Sequence, residues 1–113
     1  MNKYENVDVE KLANIYFEGR VISRNITFSD GSTKTLGVML PGEYEFKTEL
    51  REVMEIITGK LNLKLKIDND WKIIKEGMEF KIPKNSSFKV KVIELVNYTC
   101  SYFNDWKFQW LEK

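Results

Sequence analysis

The sequence predicts an all-β domain, a small antiparallel barrel, and three observations carry that expectation. Apolar and polar residues alternate at period two in the clearest segments, turn signals recur about every 8 to 12 residues, and helical spacing is confined to the two ends. Short, evenly spaced strands of this kind close into antiparallel barrels or sandwiches.

Taken in order, residues 1 to 14 are the first of two segments that can form a helix. Turn signals then follow at Asp30-Gly31, Pro41-Gly42, Thr58-Gly59, the DND stretch at 68 to 70, Gly77, and PKNSS from Pro83. Between them KLNLKLKI, residues 60 to 67, sets Leu61, Leu63, Leu65 and Ile67 on one face against Lys60, Asn62, Lys64 and Lys66 on the other. SFKVKVI, residues 87 to 93, does the same with Phe88, Val90 and Val92. Both read as strands with one wet face. IDNDW, residues 67 to 71, lacks the glycine and distal glutamate of a calcium loop and reads as a hairpin turn. The second helical candidate is 103 to 112, where Phe103, Trp106 and Trp110 fall at spacings of 3 and 4.

With 113 residues the chain is expected to form one domain, its core about 15 to 102, with 1 to 14 and 103 to 113 as extensions. Lys and Arg number 18 against 17 Asp and Glu, so the basic surplus of a nucleic-acid binder is missing. No stretch approaches the roughly 18 apolar residues of a membrane helix, and no leader pattern opens the chain. The expectation is a cytoplasmic protein with neither nucleic acid nor membrane as partner. The N-x-S/T triplets at Asn25, Asn85 and Asn97 then carry no weight. Cys100, the lone cysteine, excludes an intrachain disulfide and reads as a buried structural thiol. The chain has no histidine, which removes Ser-His-Asp and Cys-His catalysis and the commonest transition-metal ligand.

Two motifs of the cupins, a family of small jelly-roll barrels, can be tested against the residues. In the second, G-x5-P-x-G-x2-H, Gly77 and Pro83 fall in place, Asn85 takes the glycine position and Phe88 the histidine position. Asn tolerates the left-handed backbone that glycine supplies there. The first motif fits loosely, with Gly37, Glu43 and Glu45 in the histidine places, Glu52, and Gly59. The frame resembles a cupin whose histidines are gone. Glu43, Glu45 and Glu52 remain as oxygen ligands for a hard cation, against the plainer reading of solvated strand carboxylates.

A closer resemblance lies in YFEGRV (16 to 21), TLGVMLPGEYEF (35 to 46), VMEIITGKLNLKL (53 to 65), DWKIIKEGMEFKIPKNSSFKVKV (70 to 92) and YTCSY (98 to 102). In this order they are similar to the pyrimidine/purine nucleoside phosphorylases of the cupin type. Ser101 stands between Cys100 and Tyr102, where an arginine or another polar residue is expected in relatives, so a phosphate cation has to be sought elsewhere.

The resemblance implies metal-independent cleavage of a nucleoside by inorganic phosphate, without cofactor, to free base and ribose 1-phosphate. Positive charge grows on the sugar and negative charge on the departing base. Arg51 with Ser86 and Ser87 are candidates for phosphate; Glu43 and Glu52, as catalytic carboxylates, for the ribose hydroxyls and the developing cation; Phe88, Tyr44 and Tyr98 for stacking on the base. Each has a plainer reading: Arg51 in a surface ion pair with Glu49 or Glu55, the serines in turn chemistry, Phe88 in the core. Hydrophobicity points Glu43 and Glu45 outward, whereas the cupin offset points them inward. A homodimer paired through strand edges is expected. The alternative is a non-catalytic cupin that binds a small polar metabolite or serves as an assembly module.

Overall fold

The alternating segments lie in the two longest strands, β6 (Arg51–Leu65) and β9 (Ser87–Phe103), and these two organise the rest. The structure, a computed structural model, describes residues 2 to 104. Around the long pair stand β1 (Asp8–Val9), β2 (Asn14–Tyr16), β3 (Val21–Thr27), β4 (Thr33–Met39), β5 (Gly42–Lys47), β7 (Lys72–Lys75) and β8 (Glu79–Ile82), with one 3-10 turn at Phe17–Gly19. Every pairing is antiparallel.

β9 changes partner midway. Its first part pairs with β5 from Lys47↔Ser87 to Gly42↔Val92, and its second with β4 from Met39↔Val96 to Lys34↔Ser101. Along its other edge β6 runs nearly the whole way, from Leu65↔Phe88 to Arg51↔Phe103. The far edge of β6 is likewise shared, by β8 over Glu52 to Glu55 and by β7 over Lys60 to Leu63. The path β1-β3-β4-β9-β6-β7 does not return on itself, so pairing does not close the expected barrel into a ring. Side chains from both halves meet in a single cluster instead: Val21, Met39, Ile56 and Val96 from one, Tyr44, Leu61, Leu63 and Val90 from the other. Each such side chain contributes about 1.5–3 kcal/mol on burial.

Three expectations change, and a fourth falls mostly outside the described residues. Residues 1 to 14 are not helical: β1 pairs with the end of β3, Asn14 Nδ2 donates to Asn25 Oδ1 at 2.9 Å, and the Tyr4 hydroxyl donates to Thr99 Oγ1 at 3.3 Å. Cross-strand partners outweigh the weak local helical preference. Thr58-Gly59 is not a turn but a bulge inside β6, where the register against β9 slips on both sides of Thr58. Gly59, at φ +98°, supplies the backbone that turns and bulges share. Ile67 is not on the buried face; the strand ends at Leu65 and Ile67 is 87% exposed. Phe103 ends β9, and the rest of the helical candidate over 103 to 112, beyond Asn104, lies outside the described residues.

Other readings hold. Asp30-Gly31, 68 to 70, Gly77 and Pro83 mark turns between strands, and Asn85 takes the left-handed backbone at φ +51°. Cys100 is buried.

Candidate functional site

Alternation aims one face of three strands at a common space. Glu52 stands on β6 with Met54 and Ile56 on the same face, opposite Tyr102 of β9 and Ile82 of β8. Tyr98, Cys100 and Tyr102 follow at period two on β9, and Ser23 of β3 and Met39 of β4 complete the wall. The space between is a cavity of about 210 Å³. Phe46 of β5 and Phe88 of β9 form its apolar side, stacked with centroids 5.2 Å apart at 25°. Tyr16 and Lys47 also line it, and Lys47 is the cation among its described lining residues.

Glu52 is held from one side. The Cys100 thiol donates to Glu52 Oε1 at 3.2 Å. Burial raises the Glu52 carboxyl above its ordinary value, and the thiol's hydrogen bond offsets only part of that rise. Burial also pushes the Tyr98 and Tyr102 phenols and the Cys100 thiol far above their ordinary ranges. These three groups therefore keep their protons at neutral pH. The Tyr102 hydroxyl is tied to Thr35 Oγ1 at 3.2 Å. The wall is thus a set of neutral proton-bearing groups around one carboxyl, and it is matched to negative charge growing on a ligand rather than to positive charge.

Gly37 makes room for part of this wall. It sits opposite Tyr98, where an added Cβ would come within 2.7 Å of the phenol ring and 2.6 Å of the Ile22 carbonyl oxygen. A larger residue would displace the ring.

Of the eight side chains that the sequence nominates, the cavity brings together Glu52, Phe88 and Tyr98. Glu43 stands exposed on the outer face, with Oε1 3.8 Å from Lys91 Nζ. Glu45 is exposed as well, so hydrophobicity and not the cupin offset sets this strand. Tyr44 is buried and donates its hydroxyl to the Leu40 carbonyl at 2.6 Å. Arg51, next to Glu52, lies on the opposite face with its guanidinium 4.3 Å from the centre of the Phe103 ring. The Ser86 amide donates to Thr48 Oγ1 at 2.9 Å, and Thr48 Oγ1 donates to the Pro83 carbonyl at 2.7 Å, a clasp that spends this amide on the turn. Ser87 borders a separate open cleft with Glu45, Lys64 and Lys89.

Sequence reasoning missed Tyr16, Ser23, Phe46, Lys47 and Tyr102, and read Cys100 as structural only. A signal for part of this set exists: Tyr98, Cys100 and Tyr102 share a face at period two, and Glu52 interrupts the apolar face of Met54 and Ile56. Lys47 has no such signal. Among the described residues no three of His, Cys, Asp and Glu come together to hold a metal ion.

The family of pyrimidine/purine nucleoside phosphorylases matches residues 11 to 102 of this chain. A pyrimidine/purine nucleoside phosphorylase of Sulfurovum sp. is 52% identical over 102 residues, 90% of this chain and 99% of the relative. Its counterpart in Chlorobium chlorochromatii is 48% identical, covering 90% and 98%. A protein of unknown function from Acinetobacter sp. ADP1 superposes with a TM-score of 0.86 at 37% identity, covering 89% of this chain and 98% of that one. An RmlC-like cupin from Shewanella frigidimarina, at 13% identity and a TM-score of 0.64 over 87% and 84%, shares the fold alone. An all-β sheet of the cupin kind and a match over most of the chain to relatives of one name lead to the same conclusion: the chain belongs to the pyrimidine/purine nucleoside phosphorylase family.

Proposed function

We propose that the protein is a pentosyltransferase that cleaves pyrimidine and purine nucleosides with inorganic phosphate, giving free base and ribose 1-phosphate, and that the reaction takes place in the cavity beside Glu52. The observation that carries this reading is the cavity's composition, a lone carboxyl and neutral donors on one side and stacked aromatic rings on the other, in a chain of this family. Stacking on Phe46 and Phe88 tolerates any base, and is worth about 1–3 kcal/mol per base. Tyr98 adds a donor. Lys47, at the end of β5, supplies the cation for phosphate, which Ser101 does not. No cofactor or metal is needed, and the working location is the cytoplasm.

Purified protein is expected to release base from inosine and uridine only when phosphate is present, with ribose 1-phosphate as the second product, and chelator is expected to leave the rate unchanged. Release without phosphate would identify a hydrolase. No release from any nucleoside would return the alternative of a non-catalytic binding module.

A further inference from the structure

We propose that the open cleft beside the cavity is an outer binding site for inorganic phosphate, where Lys64, Lys66, Lys89 and Ser87 collect the anion before Lys47 receives it at the cavity. The inference rests on the phosphorolytic reading, which makes phosphate a substrate, and adds a second place on the molecule for it.

Strand register gathers the cations. On the outer face where β5, β9 and β6 lie side by side, Lys89 stands between Glu45 and Lys64, and Ser87 stands beside Lys47. Lys66, just past the end of β6, joins them around a cleft of about 320 Å³. Like charges set directly opposite each other, as Lys64 and Lys89 are, weaken a strand pair, and an anion between them removes that penalty. Among the described residues no carboxylate forms an ion pair with Lys64, Lys66 or Lys89. The two carboxylates that border the cleft do not cancel the cluster. Asp68 is committed elsewhere: Oδ2 accepts the Leu65 amide at 3.1 Å, and Oδ1 lies 3.6 Å from Lys72 Nζ. Glu45, across from Lys89, offsets one lysine. With Lys47 included, four cations therefore face one uncommitted carboxylate, in a chain whose formal net charge is +1. Lys64 Nζ also lies 5.9 Å from the centre of the Trp71 ring, a contact that uses none of the ammonium donors.

The cleft and the cavity are neighbours. Phe88 borders both, and Lys47, in register with Ser87, lines the cavity. A phosphate held in the cleft thus has a cation of the cavity at the next strand position. Phosphate, not nucleoside, is the substrate these groups fit, since ammonium ions bind phosphate oxygens as point charges and offer little to a neutral sugar and base. A cleft of one sign also raises the local concentration of an oppositely charged substrate, by about tenfold or more.

Amide spectra of the isotope-labelled protein, titrated with inorganic phosphate at constant ionic strength and without nucleoside, read the site directly. Saturating shifts are expected at Ser87, Lys89 and Lys64, and Lys64→Gln combined with Lys89→Gln is expected to raise their midpoint about tenfold. The same double variant is expected to lower kcat/KM for phosphate about tenfold and kcat/KM for nucleoside by less. The control is Lys60→Gln combined with Lys75→Gln, an equal loss of charge at a facing pair that has Glu76 and Glu94 beside it. It is expected to change either reading by no more than about twofold. Phosphate shifts confined to cavity residues such as Tyr98 and Cys100, shifts of the same size with potassium chloride, or equal effects of the two double variants would overturn the proposal. Should the first double variant not fold, the wild-type titration against chloride decides. If the wild type releases base from no nucleoside, the phosphorolytic reading fails, a result distinct from the absence of shifts at the cleft.

Discussion

Glu52 is the residue at which stability and chemistry conflict. Its folded-state carboxyl titrates above the ordinary carboxylate value because burial disfavours the ion. Between the unfolded value and the raised one the folded chain binds more protons than the unfolded chain, so stability falls as pH rises through that window and is greatest below it. Glu52→Gln removes the ionisation, and its melting temperature at neutral pH is expected to lie a few degrees above that of the wild type. Below the window the difference should vanish. A variant that melts lower at neutral pH, or a gap independent of pH, would show that burial does not strain this carboxyl. A second outcome belongs to the cations. Lys47→Ala is expected to raise the KM for phosphate about tenfold while changing the KM for nucleoside less, as steady-state assays with each substrate varied in turn would show. Arg51→Ala decides the other nomination, since an unchanged phosphate KM would remove it from the site.

At the scale of elements, the bulge in β6 is what separates this strand from a straight fifteen-residue ribbon. A Cβ at Gly59 would press into the Leu95 carbonyl and come within 2.8 Å of the Val96 Cα, both backbone, and the left-handed φ would strain it further. Gly59→Ala is expected to cost about 1–3 kcal/mol, read as a lower urea midpoint with an unchanged slope. The sequence carried the strands around this bulge well, because Leu61 and Leu63, like Phe88, Val90 and Val92, must all enter one core and alternation records that demand directly. It misread Thr58-Gly59, since a glycine at positive φ serves a bulge or a turn equally well. It misread residues 1 to 14, whose strand state depends on partners near Asn25 and Thr99, far along the chain. The site was legible only where its residues sit in strands with a clear face. Glu52, Phe88 and Tyr98 could be nominated, whereas Lys47, exposed on the same side of β5 as Glu43 and Glu45, borders the cavity only where β5 meets β9, which no local pattern encodes.

At the scale of the whole molecule, the outer face of the first half carries apolar side chains that stay exposed among the described residues. Ile22, Ile57 and Leu95 are each about 40% exposed or more, and Ile22, Leu36, Val38 and Ile57 border a shallow groove there. Apolar surface of this kind marks an association site. A homodimer through this face is the expected state, and sedimentation velocity would measure it. Ile57→Glu, which places a charge on the face, is expected to shift the species to the mass of one chain without lowering helix-free β-sheet content in circular dichroism. Survival of the dimer in that variant would move the interface elsewhere.

The partner change along β9 has a consequence for biosynthesis. Among the described residues β5 pairs with β9 alone, β6 shows β9 its longest edge, and β9 is the last of the described strands to leave the ribosome. Until residues 87 to 103 emerge, the edges of β4, β5 and β6 that β9 covers wait unsatisfied in a nascent chain that holds most of its apolar side chains but has no means of enclosing them. Translation that halts near residue 86 would therefore yield a clump-forming fragment in place of a smaller working domain.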